Sequence, residues 1–333
     1  MGMEWAHDAG VMAARLLATI TVAAVIGAPV SSNAEQYPSK PVTIIVAYPP
    51  GGSTDLSTRI IAENLTQMLG QPFVVINKPG AAGNIGTAQG AKSAPDGYTL
   101  LHGYVGTIAI HPALYGSKLP YDPERDLIAI APIASVPTFL VTPPSLGVRS
   151  VAELVALAKA KPGQLTFGTA GSGSTQHLFA ELFRASAGID VRAIPFSGSG
   201  PANVALLGGH ISFMFDAGQV MQQVKAGQLI GLASTASKRL PSLPDLPTVA
   251  ETFPGFEAAS WHGIFAPSGT PKPIVDLLNS RIVEILSQPD TQRRLAVAQM
   301  SVMSMNPSAF ANFIREEAVK WSKVVKATGI QTE

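Results

Sequence analysis

Apolar positions along this chain change period repeatedly, and the changes outline its elements. Residues 42–47 are β-branched and apolar throughout, the pattern of a strand buried on both faces. From Thr54 to Leu69 the apolar residues shift to helical spacing, with Leu56, Ile60, Ile61, Leu65, Met68 and Leu69 on one stripe and Gly70 as the stop. A second strand is predicted over 73–76, then a glycine-rich turn over 78–84 and a helix to about Ala91. Asp96-Gly97 signals a turn before a third strand over 98–102.

Residues 126–141 form a long apolar stretch interrupted at Pro132 and Pro137, read as a segment crossing between two domains. Beyond it the alternation resumes. Helices are expected over 151–160, 175–187, about 201–207 and 218–226, and strands over 165–169, 191–195, 211–215 and 229–234. Residues 261–265 look like a returning strand. The tail carries two or three helices, including one from 307 to about 327. Strand–helix alternation predicts α/β domains built on parallel sheets covered on both faces. The expected division is a leader over 1–34, a first lobe over 35–138 plus 257–333, and a second lobe over 139–256 with a cleft between them.

The leader is read from Arg15, the apolar run 16–26 and the small residues Ser32 and Ala34 before Glu35, which resemble a secretory signal peptide. The alternative is an uncleaved anchor, but the run is shorter than the roughly 20 residues needed to span a bilayer. Glu4 and Asp8 are unusual in a leader, and Met12 is an alternative start. The mature chain is expected outside the cytoplasm.

Composition narrows the chemistry. Charged residues make up only 14% against 46% hydrophobic, an ordered core-rich chain. A net charge of +1 with no basic run gives nucleic-acid binding no electrostatic support. There is no cysteine, which excludes disulfides, thiolate metal sites and cysteine nucleophiles. No nucleophile elbow, Walker A loop, zinc-protease helix or dinucleotide fingerprint occurs, and the six histidines show no metal-ligand spacing. No enzyme, cofactor or metal is expected.

Four turns stand out. They are residues 50–55 (PGGSTD), 79–84 (PGAAGN), 169–175 (TAGSGST) and 196–201 (FSGSGP), each placed between a predicted strand and a helix. Glycine lets a partner approach the main chain, Ser and Thr add hydroxyls, and the helix start adds unpaired N–H groups with a positive dipole end. Ligands of parallel sheets bind beyond the strands' carboxyl ends. Any single turn is explained by capping alone, through Ser53, Thr54, Ser174 or Thr175. Four such turns, two from each half, suggest an anion cleft lined by neutral donors. Asp55 reads either as a ligand acceptor or as a helix-dipole carboxylate. Asp216, at the end of a predicted strand, reads as a site residue or as an N-cap. His177 reads as a donor to a bound carboxylate or as a packing or capping group. Trp261 reads as core.

Taken in order, the stretches YPSKPVTIIVAYPPGGSTD, NKPGAAGNIGT, PDGYTLL, LPYDPERDL, PGQLTFGTAGSGSTQHLFAELF, LLGGHISFMFD, LPDLPTVAE and the run from Trp261 resemble the solute-binding proteins of tripartite tricarboxylate transporters, the Bug family, from about Tyr37 to Val325. The resemblance implies a two-lobed periplasmic binding protein, type II-like, each lobe a mostly parallel sheet flanked by helices. It closes on a small organic carboxylate, partly through bridging waters, and docks as a monomer on membrane transporter subunits. Carried over by position, it implies ligand contacts at Tyr48, Pro50, Gly51, Gly52 and Asp55. It adds Ala82, Gly83, Asn84, Tyr104, Gly106 and Thr107 from the next two turns. The second lobe supplies Thr169, Ala170, Ser172, Ser174, His177 and Asp216. Phe196-Ser197 stands where many relatives carry tyrosine and a basic residue. That departure implies a more apolar, neutral distal pocket and a longer, aromatic or dicarboxylate ligand rather than citrate. A periplasmic sensor with the same pocket and a secreted hydrolase are the competing readings.

Overall fold

The computed structural model describes residues 37–217 and 220–330. The expected leader lies outside them. Contacts divide the chain into Met1–Ser39 and Lys40–Glu333, and both sheets lie in the second unit.

The run at 42–46 forms β1 (Val42–Val46), almost wholly buried because both faces are covered. Parallel neighbours flank it, β2 (Phe73–Asn77) on one side and β3 (Thr99–Tyr104) on the other. Val46 pairs with both Asn77 and His102, so the three strands end level. The turns after them therefore rise together from one edge. A second sheet repeats the device. Here β6 (Thr166–Thr169) is parallel to β7 (Arg192–Pro195) and β8 (Phe213–Asp216), and the strands end near Thr169, Pro195 and Asp216.

Each sheet is parallel at one side and antiparallel at the other. The first is completed by β4 (Leu127–Val136), β10 (Ser260–Pro267) and β11 (Ser301–Val302), the second by β5 (Phe139–Thr142) and β9 (Ile230–Ser234). The apolar stretch read as a crossing segment is thus two strands, one in each sheet. Pro132 fits inside β4 because the pairing with β10 shifts register beside it, between His262 and Gly263, where the ladder can forgo a donor. The crossing at Thr138 is tied down. Its N–H donates to Thr235 Oγ1 at 3.0 Å and its carbonyl accepts from Thr235 N at 2.9 Å.

The helices that matter here follow the level strand ends. They are α1 (Ser53–Leu69), α2 (Asn84–Ala91), α3 (Thr175–Ala187) and α4 (Ser199–Leu207). A π-helical turn, Gly106–Ile110, follows β3 and has no counterpart in the sequence reading. The helix expected over 218–226 is described only as Met221–Lys225.

The tail helix α5 (Pro307–Thr328) is about 33 Å long at 1.5 Å per residue, and it serves both sheets. Near its start Phe310 packs edge-on against Trp261 of β10. Near its end Trp321 stacks on Phe179 of α3, ring centroids 5.2 Å apart. Both Phe310 and Trp321 are fully buried, each contributing roughly 1.5–3 kcal/mol or more of hydrophobic stabilisation. Between them Glu317 accepts from the indole N–H groups of Trp261 and Trp321, both at 3.1 Å. Trp261 is core, as its sequence reading expects.

Candidate functional site

The first-lobe rim is shaped by backbone that few side chains tolerate. Gly80, Ala81, Ala82 and Gly83 all have positive φ, so the turn after β2 is left-handed throughout. For the two alanines this costs on the order of 1–2 kcal/mol each. The twist turns the Ala82 carbonyl toward Tyr48, whose hydroxyl donates to it at 3.1 Å. Gly83 lies directly beneath. A Cβ there would sit 2.8 Å from Tyr48 Oη and 3.0 Å from Thr107 Cγ2. Tyr48 and Tyr104 then meet edge to face at 5.4 Å and form an aromatic wall.

Asp55 holds this rim from behind. One carboxylate oxygen accepts from Gly51 N–H at 3.0 Å and Arg59 Nε at 2.9 Å, the other from Asn77 Nδ2 at 2.9 Å. Asn77 also donates to the Tyr48 carbonyl at 3.0 Å. Burial opposes ionisation, but the bonds from Arg59, Gly51 and Asn77 outweigh it and hold the carboxyl below its ordinary range. Asp55 fixes the path of residues 48–52, and its oxygens are committed to its own lobe. The cap of α1 is Gly52, with no side chain to accept from the first turn, so the N–H groups of Ser53 and Thr54 have no cap partner.

The second lobe is built similarly. Thr169 is fully buried and its hydroxyl exchanges hydrogen bonds with Gly171, closing the turn after β6. Ser174 caps α3 by accepting from His177 N at 3.3 Å. The His177 ring accepts from Gly173 N–H at 3.1 Å through Nδ1 and faces Glu181 across 3.9 Å. Burial lowers its pKa, so it is neutral and serves the loop, as in its capping reading. Gly198 caps α4, again with no side-chain bond to the first turn.

These edges enclose a cleft of about 510 Å³. Of the expected residues, Tyr48, Pro50, Gly52, Ala82, Tyr104, Ala170 and Ser174 line it. An adjoining space of about 440 Å³ shares Gly52, Ser53, Gln176, Ser199 and Ala217 with it and adds Gly51 and Asp216. The starts of α1, α3 and α4 converge here. The lobes also touch directly, since Tyr104 Oη donates to Thr175 Oγ1 at 2.8 Å.

The other expected residues stand behind the lining. Asn84 is buried and its Oδ1 bonds His111 Nδ1 at 2.7 Å and the Tyr121 hydroxyl at 3.0 Å. His111 lines the cleft, with its pKa lowered to about 4 by burial. Gly106 gives room to the Tyr104 ring, and Thr107 is buried, donating to the Tyr104 carbonyl. Phe196 packs against the second-lobe core, while Ser172 and Ser197 are exposed outside the lining. The sequence reading missed Gln176, Ser199 and Asn203. Gln176 Nε2 donates to Ser199 Oγ at 2.9 Å, and Asn203 Nδ2 to Asp216 Oδ2 at 2.9 Å. Ser199 lies within the flagged turn 196–201 and Gln176 and Asn203 just beyond flagged turns, the one signal that marks them.

Catalytic geometry is weak. Ser57 Oγ meets His262 Nδ1 at 3.0 Å, but both residues are fully buried under β10 and face no cavity described above. Among the described residues His262 Nε2 meets no carboxylate that would orient it. Among the described residues no group of His, Asp and Glu could hold a metal, and no helix is long and apolar enough to cross a membrane.

The chain is similar to known proteins over most of its length. Residues 57–330 match the family described as tripartite tricarboxylate transporter family receptor. Protein BugT of Bordetella pertussis is 40% identical over 321 residues, covering 95% of this chain and 98% of that protein. Among solved structures, an R. palustris protein with adipate superposes with a TM-score of 0.80 at 36% identity, covering 89% of this chain and 99% of the other. MatC from Rhodopseudomonas palustris with bound malate gives 0.75 at 33% identity, covering 87% and 100%.

Proposed function

Because the chain belongs to the tripartite tricarboxylate transporter receptor family, we propose that it is a periplasmic solute receptor. It captures a small organic carboxylate and delivers it, as a monomer, to membrane transporter subunits of the tripartite tricarboxylate type. The observation that carries this reading is the convergence of three helix starts on one cleft, two of them capped by glycines that leave first-turn N–H groups open. Those groups and the positive helix ends suit a carboxylate without a lysine or arginine. The relatives solved with adipate and malate support the ligand class.

Tyr48 and Tyr104 supply an apolar wall for the ligand's carbon skeleton. With lobe boundaries taken at 138/139 and 256/257, the first crossing lies beside the Thr138–Thr235 tie, which would act as the hinge. A ligand touching the starts of both α1 and α3 favours the closed arrangement through its differential affinity for it. No reaction is needed, and neutral donors suit a carrier that must release its cargo. The leader would be removed on export. Titration calorimetry of the mature chain with C4–C6 organic acids tests the proposal. Saturable binding weakened by Ser174→Ala is expected, and the absence of binding by every acid would overturn it.

A further inference from the structure

The cleft and the space adjoining it differ in the acceptors that only the adjoining space contains. Around Gly52, Ser53 and Thr175 the wall offers donors. The adjoining space, lined by Gly52, Ser53, Ser199 and Gly200 as well, adds the acceptors of Asn203 and Asp216. Asp216 closes β8 and is only 5% exposed. Its Oδ1 accepts from Ala217 N–H at 2.8 Å and its Oδ2 from Asn203 Nδ2 at 2.9 Å. These donors and the nearby Gln176 side chain are neutral, and among the described residues no cation pairs with this carboxylate. Asn203 turns its amide NH2 toward Asp216, because an ionised carboxylate only accepts. Its Oδ1 is therefore left over, buried and without a partner among the described residues. Both residues line the space continuous with the carboxylate end.

We infer that the adjoining space recognises a hydrogen-bond donor, so that the cargo is a monocarboxylate ending in an ammonium, hydroxyl or amide rather than a second carboxylate. This rests on the receptor reading above and sets aside the dicarboxylate that the resemblance implied. An unpaired buried acceptor is costly, and a buried carboxylate without a counter-charge more so. A ligand donor satisfies Asn203 Oδ1 and Asp216 together, and an ammonium also supplies the missing charge. A second ionised carboxylate would face Asp216 as a like charge.

The test is a titration series with a constant carboxylate end and a varied far end. Valerate, glutarate, 5-hydroxyvalerate, glutaramate and 5-aminovalerate form the C5 set, with C4 and C6 counterparts to cover length. At pH 7.5 the best donor-ended acid should bind at least about tenfold more tightly than the diacid of equal length. The order of affinities among the three donor ends identifies which one is preferred. Asp216→Asn should shrink the donor preference to within roughly threefold, and Asn203→Leu should do likewise, with folding of both checked by circular dichroism. A diacid or valerate that binds as well as every donor-ended acid would overturn the inference while leaving the receptor standing. So would a preference that survives both substitutions. If no acid binds whatever its far end, the receptor reading fails and the inference with it.

Discussion

The Tyr104 hydroxyl and the Thr175 hydroxyl lie 2.8 Å apart, with Tyr104 donating, and they belong to different lobes. Tyr104 ends the third strand of the first sheet and Thr175 opens α3 beside the second sheet. The bond joins the aromatic wall to a helix start, so the two halves of the site are held in one arrangement.

Removing that hydroxyl should loosen the arrangement. Tyr104→Phe keeps the ring against Tyr48 but strands Thr175. A loss of about 1 kcal/mol of stability is expected, together with a fivefold to tenfold weaker ligand affinity. Denaturant titration and calorimetry measure the two effects. Affinity unchanged from wild type would show that the bond is incidental to closure.

Two glycines on the first-lobe rim should respond differently to alanine. Gly83→Ala forces a Cβ to 2.8 Å from Tyr48 Oη at a φ of +94°, so steric strain adds to backbone strain. A loss of about 2–4 kcal/mol and a displaced Tyr48 are expected. Gly51→Ala, at φ +88° with nothing within 4 Å, should lose only about 1–2 kcal/mol. Equal losses would contradict the crowding described under Tyr48.

Asp55 should show itself through acid. Its carboxyl is held below the ordinary range in the fold, so the unfolded chain takes up a proton first as pH falls. The stability it contributes is full above the unfolded pKa of about 3.9 and is lost as pH drops through the lower folded value. Asp55→Asn should cost about 2 kcal/mol at pH 7 and much less near pH 3, read by urea melts. A pH-independent cost would mean that the charge does not hold the rim.

Asp216 has the opposite sign. Burial raises its pKa from 3.8 to about 6, against the smaller opposing effects of Ala217 N–H and Gln176. Between those values the folded chain keeps a proton that the unfolded chain has lost. Stability of the ligand-free protein therefore falls as pH rises through that window, by about 3 kcal/mol in all, and levels off above it. Asp216→Asn should be the more stable protein at pH 7.5, with its advantage gone near pH 4. A constant difference across that range would contradict a buried unpaired carboxylate.

Much of this architecture is legible in the sequence, for reasons that particular residues make plain. The run at 42–46 has no other stable fate than a buried strand, and Gly70 stops α1 as its position suggests. The four glycine-rich turns mark the rims because chain that must turn sharply or approach a ligand needs those residues. The stretch 126–141 hid two strands because a continuous apolar run carries no period. The π-helical turn at 106–110 has no signature at all. Tyr48, Gly52, Tyr104 and Ser174, which line the cleft, were reached through the glycine-rich turns and, for the two tyrosines, through the family resemblance. The inward commitment of Asp55 was not, since it depends on Arg59 and Asn77 arriving from other elements. Gln176, Ser199 and Asn203 are ordinary helix residues until the second sheet brings α3 and α4 together.

The central claim is that a carboxylate sits on the open helix starts, and Gly52 is where to test it. Its backbone is extended, φ −79° and ψ 174°, and a Cβ there would meet only Thr54 Oγ1 at 3.9 Å. Gly52→Val should therefore fold normally while filling the cleft in front of Ser53 and Thr54. The measurement is thermal stability of wild type and Gly52→Val across a panel of organic acids. A binding acid at about 100 times its Kd should stabilise wild type by about 2.7 kcal/mol and leave Gly52→Val unmoved. Equal stabilisation of both proteins would place the acid elsewhere and contradict the account.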